Sequence, residues 1–116
     1  MITVTLPLSE EVAARIEPLT QWLSPILELG LVGFRTPATI MAAEVVEFLA
    51  SNPSPAELLQ YHSSKRAQNR LRRLLALHNE GLLSVEEEQQ ELDELQQIER
   101  IIRRCKITGV REQQAA

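Results

Sequence analysis

The residues with the clearest chemical potential are cationic, and most lie in the second half of the chain. Residues 61–116 hold ten of the twelve Lys and Arg residues. Cationic side chains bind phosphate and carboxylate groups through charge-assisted hydrogen bonds. Lys65 and Arg66 fall in the first turn of a predicted helix, where a cation opposes the helix dipole by about 0.3–1 kcal/mol. We therefore expect eight residues to bind an anion or a partner: Lys65, Arg66, Arg70, Arg73, Arg100, Arg103, Arg104 and Lys106.

Two predicted helices carry these residues, one over 64–80 and the other over 85–108. They are joined by the short sequence GLLS, and short connections usually make neighbouring helices antiparallel. The start of the first helix should then lie beside the end of the second, which gathers the cations at one end. Three kinds of anion fit this site: nucleic-acid phosphate, an acidic partner protein, or carboxylates of the same chain such as Glu44, Glu47 and Glu57.

Other chemistry is not indicated. His62 and His78 are sixteen residues apart, and Cys105 is the single cysteine, so no zinc-ligand spacing is present. The four glycines are never grouped around a lysine, which excludes a phosphate-binding loop. The acidic run over 86–94 is explained as a solvated helix start favoured by the dipole. We expect a non-enzymatic protein with no catalytic residue, no metal ligand and no cofactor.

The elements that carry these residues are mostly helical. The chain has 116 residues, 44% of them hydrophobic and only 3% aromatic, which favours one domain built from helices packed on helices. The predicted fold class is mainly α: a short N-terminal strand, several short helices and a C-terminal antiparallel helical hairpin. Its sections are 1–35 (strand, short helices and a dimerisation part), 36–62 (short helices), 63–108 (hairpin) and 109–116 (a frayed tail).

The predicted strand is ITVTLPL, residues 2–8. Ile2, Val4, Leu6 and Leu8 alternate with polar residues and Pro7, a period of two that is typical of a half-buried strand. No other strand is predicted to pair with it. Pairing with its own copy in a homodimer is the simplest solution.

Helix boundaries follow from local signals. Ser9 is a predicted N-cap, and the pairs Ser24-Pro25, Thr36-Pro37 and Ser54-Pro55 predict helices that start near 25, 37 and 55. Ser63 or Ser64 should open the next helix and Ser84 should cap the last one. Gly81 and Gly109 should end these two helices. His78 should lie on a buried stripe.

The chain is expected to be cytoplasmic and not in a membrane. MITVTLPLSEEV lacks the basic and apolar regions of a signal peptide, and no apolar run reaches the roughly 18 residues of a membrane span. A single cysteine suits a reducing compartment.

The N-terminal sequence ITVTLPLSEEVAARIEPL resembles the opening of ribbon-helix-helix proteins. The resemblance implies a strand that pairs with its twin in a dimer and inserts alternate polar residues into the DNA major groove. Thr3 and Thr5 would be the base-reading positions, and SPILELGL would stand for the second helix.

Residues 42–106 are similar to a group of small bacterial antitoxin-like proteins. The similarity rests on AAEVVEFLASNPSPAELL and on RLRRLLALHNEGLLSVEEEQQELDELQQIERIIRRCK. It implies a protein that binds another protein, such as a nuclease-like toxin encoded beside it.

Three hypotheses follow. The first is a non-enzymatic, antitoxin-like protein-binding module that forms a homodimer. The second is a ribbon-helix-helix-type transcriptional regulator that binds double-stranded DNA. The third is a small helical accessory subunit of a cytoplasmic complex.

Overall fold

Helices make up most of the chain in the computed structural model, which describes residues 2–83 and 85–115, with side chains up to residue 111. In chain order the elements are α1 (Glu10–Ile16), a 3-10 helix (Glu17–Trp22), α2 (Leu23–Leu31), α3 (Ala38–Ala50), α4 (Pro55–Gln60), α5 (Lys65–Asn79) and α6 (Glu86–Ala115). The predicted mainly α fold class is confirmed.

The predicted N-terminal strand is wrong for the single chain. Residues 2–9 belong to no helix or strand, and no segment within the described ranges forms a β-strand. The physical reason is that a strand needs a hydrogen-bonding neighbour, and helices occupy most of the remaining chain. All of residues 2–9 are exposed.

Most helix starts agree with their local signals. The hydroxyl oxygens of Ser9, Ser54 and Ser64 accept hydrogen bonds from the backbone N–H groups three residues further on, each at 3.2 Å. α4 begins at Pro55 itself, whereas α2 and α3 begin within two residues of the predicted positions. The predicted cap at Ser84 lies outside the described residues.

Helix ends agree less well. Gly81 ends α5 with φ 72°, and its N–H donates to the carbonyl of His78 at 3.0 Å, which is the left-handed C′ geometry that glycine favours. Gly109 does not end α6, whose backbone is helical to Ala115, so the prediction that the helix ends at this glycine is wrong. The predicted fraying of 109–116 stays a prediction. A Cβ added at Gly109 would lie 3.4 Å from Leu58 Cδ2, an ordinary van der Waals contact, so α4 packs close to α6 at this residue.

The core is centred on α6, which packs against α2, α3, α4 and α5. The buried apolar side chains of α6 are Leu92, Leu95, Ile98, Ile101, Ile102 and Cys105. Met41, Val45 and Leu49 of α3 join the same cluster. Trp22 is buried, and its indole N–H donates to the carbonyl of Pro53 at 3.3 Å. The 3-10 helix is therefore anchored to the α3–α4 connection.

α5 and α6 contact each other and are joined by residues 80–85. Leu74 of α5 is fully buried in the core, while Leu71 and Leu75 are partly buried and pack against it. His78 is exposed, so its predicted place on the buried stripe is wrong, because the last turn of α5 extends beyond the core. The predicted hairpin over 63–108 stays a prediction at this point.

Candidate partner-binding surfaces

The eight predicted binding cations are divided among separate surface hollows. Arg66, Arg70 and Arg73 line a cleft of about 420 Å³ between α3, α5 and α6, which we call the α5 cleft. Three others, Arg100, Arg103 and Arg104, line a hollow of about 380 Å³ beside α2, which we call the α6 hollow. Lys106 lines a third hollow with Tyr61, and Lys65 is exposed on the first turn of α5. Each of these hollows takes its Arg or Lys residues from a single helix.

In the α5 cleft, the central arginine already has a partner. Arg70 donates from Nε to Oε2 of Glu91 at 2.7 Å and from Nη2 to Oε1 at 3.0 Å. Glu91 is buried, and its hydrogen bonds raise the pKa of Arg70 above the ordinary value. A bidentate pair of this kind fixes both side chains. Arg70 therefore has a structural role, and Arg66 and Arg73 remain on either side of it.

In the α6 hollow, Arg104 is paired across to α2. Its Nη2 donates to both carboxylate oxygens of Glu28 at 2.6 Å. Both side chains are substantially exposed, so the pair contributes less to stability than the pair formed by Arg70. Arg100 and Arg103 are exposed, and within the described residues neither has a carboxylate partner.

Lys106 is held by the backbone. Its Nζ donates to the carbonyl oxygen of Tyr61 at 2.8 Å. The ring of Tyr61 stacks on Phe48 with centroids 4.3 Å apart. Burial raises the pKa of the Tyr61 hydroxyl, and the carboxylates of Glu44 and Glu99 raise it further. Lys106 thus fixes the segment between α4 and α5.

Two acidic residues of α6 have roles that the sequence reasoning missed. Glu91 and Glu94 are buried, so the interpretation of 86–94 as a solvated run is wrong at these two positions. Glu94 accepts hydrogen bonds from the N–H of Arg35 at 2.8 Å, the N–H of Thr36 at 3.2 Å and the Thr36 hydroxyl at 3.2 Å. Their positions next to Leu92 and Leu95 were the available signal, since those leucines mark the core side of α6.

The N-terminal arm, residues 2–16, leaves apolar side chains uncovered. Exposure falls from 90% at Ile2 to 46% at Leu8, and α1 has no buried residue. Thr3 and Thr5, the predicted base-reading residues, are exposed as well. None of the apolar side chains over 2–15 in this arm is buried in the described chain.

The described residues offer little for covalent or metal chemistry. Cys105 is buried, and burial raises the pKa of its thiol, which favours the unreactive protonated form. Among the described residues there is no group of three or more His, Cys, Asp or Glu side chains that could hold a metal ion. No described helix combines the length and apolarity needed to cross a membrane.

Comparison of the sequence with protein-family models and curated proteins, and of the fold with solved structures, gives no match. The antitoxin-like and ribbon-helix-helix resemblances therefore stay predictions.

Proposed function

We propose that this protein is a non-enzymatic protein-binding module of the antitoxin-like kind, which forms a homodimer through its N-terminal arm. The observation that carries the proposal is the exposure of Ile2, Val4, Leu6 and Leu8. These four alternate along a segment that lacks a neighbouring strand in the described chain. An exposed apolar row of this kind is typical of a segment that another chain covers.

The energetics favour an interface larger than the strand alone. Fully covering one Val, Leu or Ile side chain contributes about 1.5–3 kcal/mol, so the eight of two paired arms, four from each copy, contribute at most roughly 12–24 kcal/mol. Association costs about 4–15 kcal/mol, and ordering the backbone of each arm costs a further roughly 1–2 kcal/mol per residue. The gain and the total cost are of similar size, so strand pairing by itself gives a marginal dimer and further contacts are needed.

The partner-binding role is proposed for α5 and α6, which we take to form the predicted hairpin. Arg66 and Arg73 support this role, because they border the α5 cleft and have no carboxylate partner in the described chain. The expected partner presents acidic side chains to this cleft, and a nuclease-like toxin encoded beside this protein is the candidate. Co-expression with the product of the adjacent gene, followed by purification of a stoichiometric complex, tests this part.

The dimer is tested by paired substitutions on the two sides of the arm. Replacing Val4 and Leu6 by Asn should yield a monomer in sedimentation equilibrium, because the apolar row is lost. Replacing Thr3 and Thr5 by Asn is the matched control, since the same residue is introduced in the same segment, and this variant should still dimerise. A wild-type protein that stays monomeric at high concentration contradicts the proposal, as does a dimeric V4N/L6N variant.

DNA binding is the second candidate. It is supported by the exposure of Thr3 and Thr5 and by the unpaired guanidinium groups of Arg66 and Arg73. Binding to phosphates predicts an affinity for duplex DNA that falls steeply with salt. The R66E/R73E variant should then lose the mobility shift. An accessory subunit predicts no shift at any salt concentration and one stable protein partner.

A further inference from the structure

One face of α2 carries a row of leucines that the described chain leaves open. Leu23, Leu27 and Leu31 are spaced by four residues and line one surface hollow, so they form a single stripe on the helix. Leu31 is 83% exposed. A monomeric protein rarely leaves such a stripe uncovered when polar residues flank it.

The α6 hollow adjoins this stripe. Glu28 lines both hollows and pairs with Arg104, so the two surfaces are continuous. Beyond this pair lie Arg100 and Arg103, which have no carboxylate partner in the described residues, and Ile107, which is exposed. We call Leu23, Leu27, Leu31, Arg100, Arg103 and Ile107 the α2–α6 face. Its chemistry is apolar along α2 and cationic along α6.

The same molecule contains a segment of the complementary kind. α1 begins with Glu10 and Glu11, which are exposed and have no ion-pair partner in the described chain. Val12 is also exposed, and α1 buries no residue against its own chain. The main contact of α1 is with the 3-10 helix that follows it. The first turn of α1 is thus acidic, its last turn carries Arg15, and the helix buries no residue against its own chain.

We propose that the α2–α6 face binds α1 of a second copy of this chain. Glu10 and Glu11 pair with Arg100 and Arg103, while Leu8 and Val12 cover the leucine stripe. Each subunit offers one arm and one face, so the exchange is reciprocal and closes as a twofold dimer. The inference rests on the proposed dimerisation through the arm, and it supplies the further contacts that strand pairing alone lacks.

Charge reversal on two helices tests the inference by sedimentation equilibrium. The R100E/R103E variant should weaken the dimer at least about tenfold, because it places like charges opposite α1. The matched control is R66E/R73E, which reverses two unpaired arginines in the α5 cleft and should change the dimer constant by less than about twofold. Circular dichroism should be the same for both variants, since all four side chains are exposed.

Rescue makes the assignment specific. The E10R/E11R variant should also weaken the dimer, and combining it with R100E/R103E should restore most of the affinity because both partners change sign. Leu31→Asn tests the apolar half separately, since so exposed a side chain adds little to the fold of the monomer. Its expected result is a weaker dimer.

The failures of the two proposals are distinguishable. If V4N/L6N abolishes the dimer but R100E/R103E behaves like R66E/R73E, the inference is overturned and dimerisation through the arm stands. If the wild-type protein is monomeric, both are overturned. Absence of rescue in the combined variant also overturns the pairing of α1 with the α2–α6 face.

Discussion

The N-terminal arm and the helical core use the same apolar residue types in opposite ways. Ile98 in α6 is 0% exposed, whereas Ile2 in the arm is almost fully exposed. In the core, apolar residues spaced by three and four along α6 meet other helices of the same chain. In the arm, residues spaced by two remain exposed. A helix completes its backbone hydrogen bonds within itself, but an extended strand depends on a neighbour, which is why we propose a second chain for the arm.

Charged residues show the same division. Arg70 and Glu91 form an ion pair within the monomer. Glu10 and Glu11 on the arm have no such partners in the described chain, and neither do Arg100 and Arg103 on the α2–α6 face. The charged side chains next to the buried core thus form ion pairs within the chain. Those on the surfaces that we assign to association have no ion-pair partner in the described chain.

Replacing one isoleucine in each region is the strongest test of this contrast. Ile98→Ala should lower the free energy of unfolding by about 2–5 kcal/mol, because it opens a cavity in a filled core. Ile2→Ala should change it by less than about 0.5 kcal/mol. Urea unfolding should be measured at a dilution where the protein is monomeric. A large loss for Ile2→Ala in the monomer would mean that the arm packs on its own chain.

The buried pair Arg70–Glu91 and the exposed pair Arg104–Glu28 should differ in their contribution to stability. Arg70→Met should lower the free energy of unfolding by about 1–3 kcal/mol, because Glu91 is left buried without its donors. Arg104→Met should lower it by less than about 1 kcal/mol, since Glu28 regains water. Chemical denaturation of both variants measures the two losses and shows which is larger. Equal losses would show that the burial of Glu91 does not strengthen its pair.

Features set by a few neighbouring residues were predictable from the sequence. The serine caps at Ser9, Ser54 and Ser64 and the end of α5 at Gly81 depend on bonds within one turn. Gly109 was misread because glycine permits a helix to end without requiring it, and α6 continues past this residue. The strand over 2–8 was misread because alternation of apolar residues does not by itself supply a neighbouring strand.

The helical positions of the eight cations were predictable, but their arrangement in space was not. Six of them are divided between the α5 cleft and the α6 hollow, a division that depends on how α6 crosses the other helices. Neutralisation within the chain, by Glu44, Glu47 or Glu57, was one of three alternatives for the anion. The carboxylates that pair with arginines belong instead to Glu28 and Glu91, because tertiary packing decides which acids come within reach.

The smallest predicted effect concerns the link between α6 and the start of α3. Glu94→Gln keeps the size of the side chain but removes the charge that accepts the N–H groups of Arg35 and Thr36. The expected loss is about 0.5–1.5 kcal/mol, together with faster hydrogen exchange at these two amides.

Asp93→Asn is the matched control for this substitution, because it removes one negative charge from the exposed neighbour of Glu94. It should leave the exchange at Arg35 and Thr36 unchanged. If both variants accelerate exchange equally, the effect comes from the overall charge of α6. If only Glu94→Gln accelerates exchange, the buried carboxylate of Glu94 holds the start of α3 in place. The core then provides hydrogen-bond partners for its polar groups as well as packing for its apolar ones.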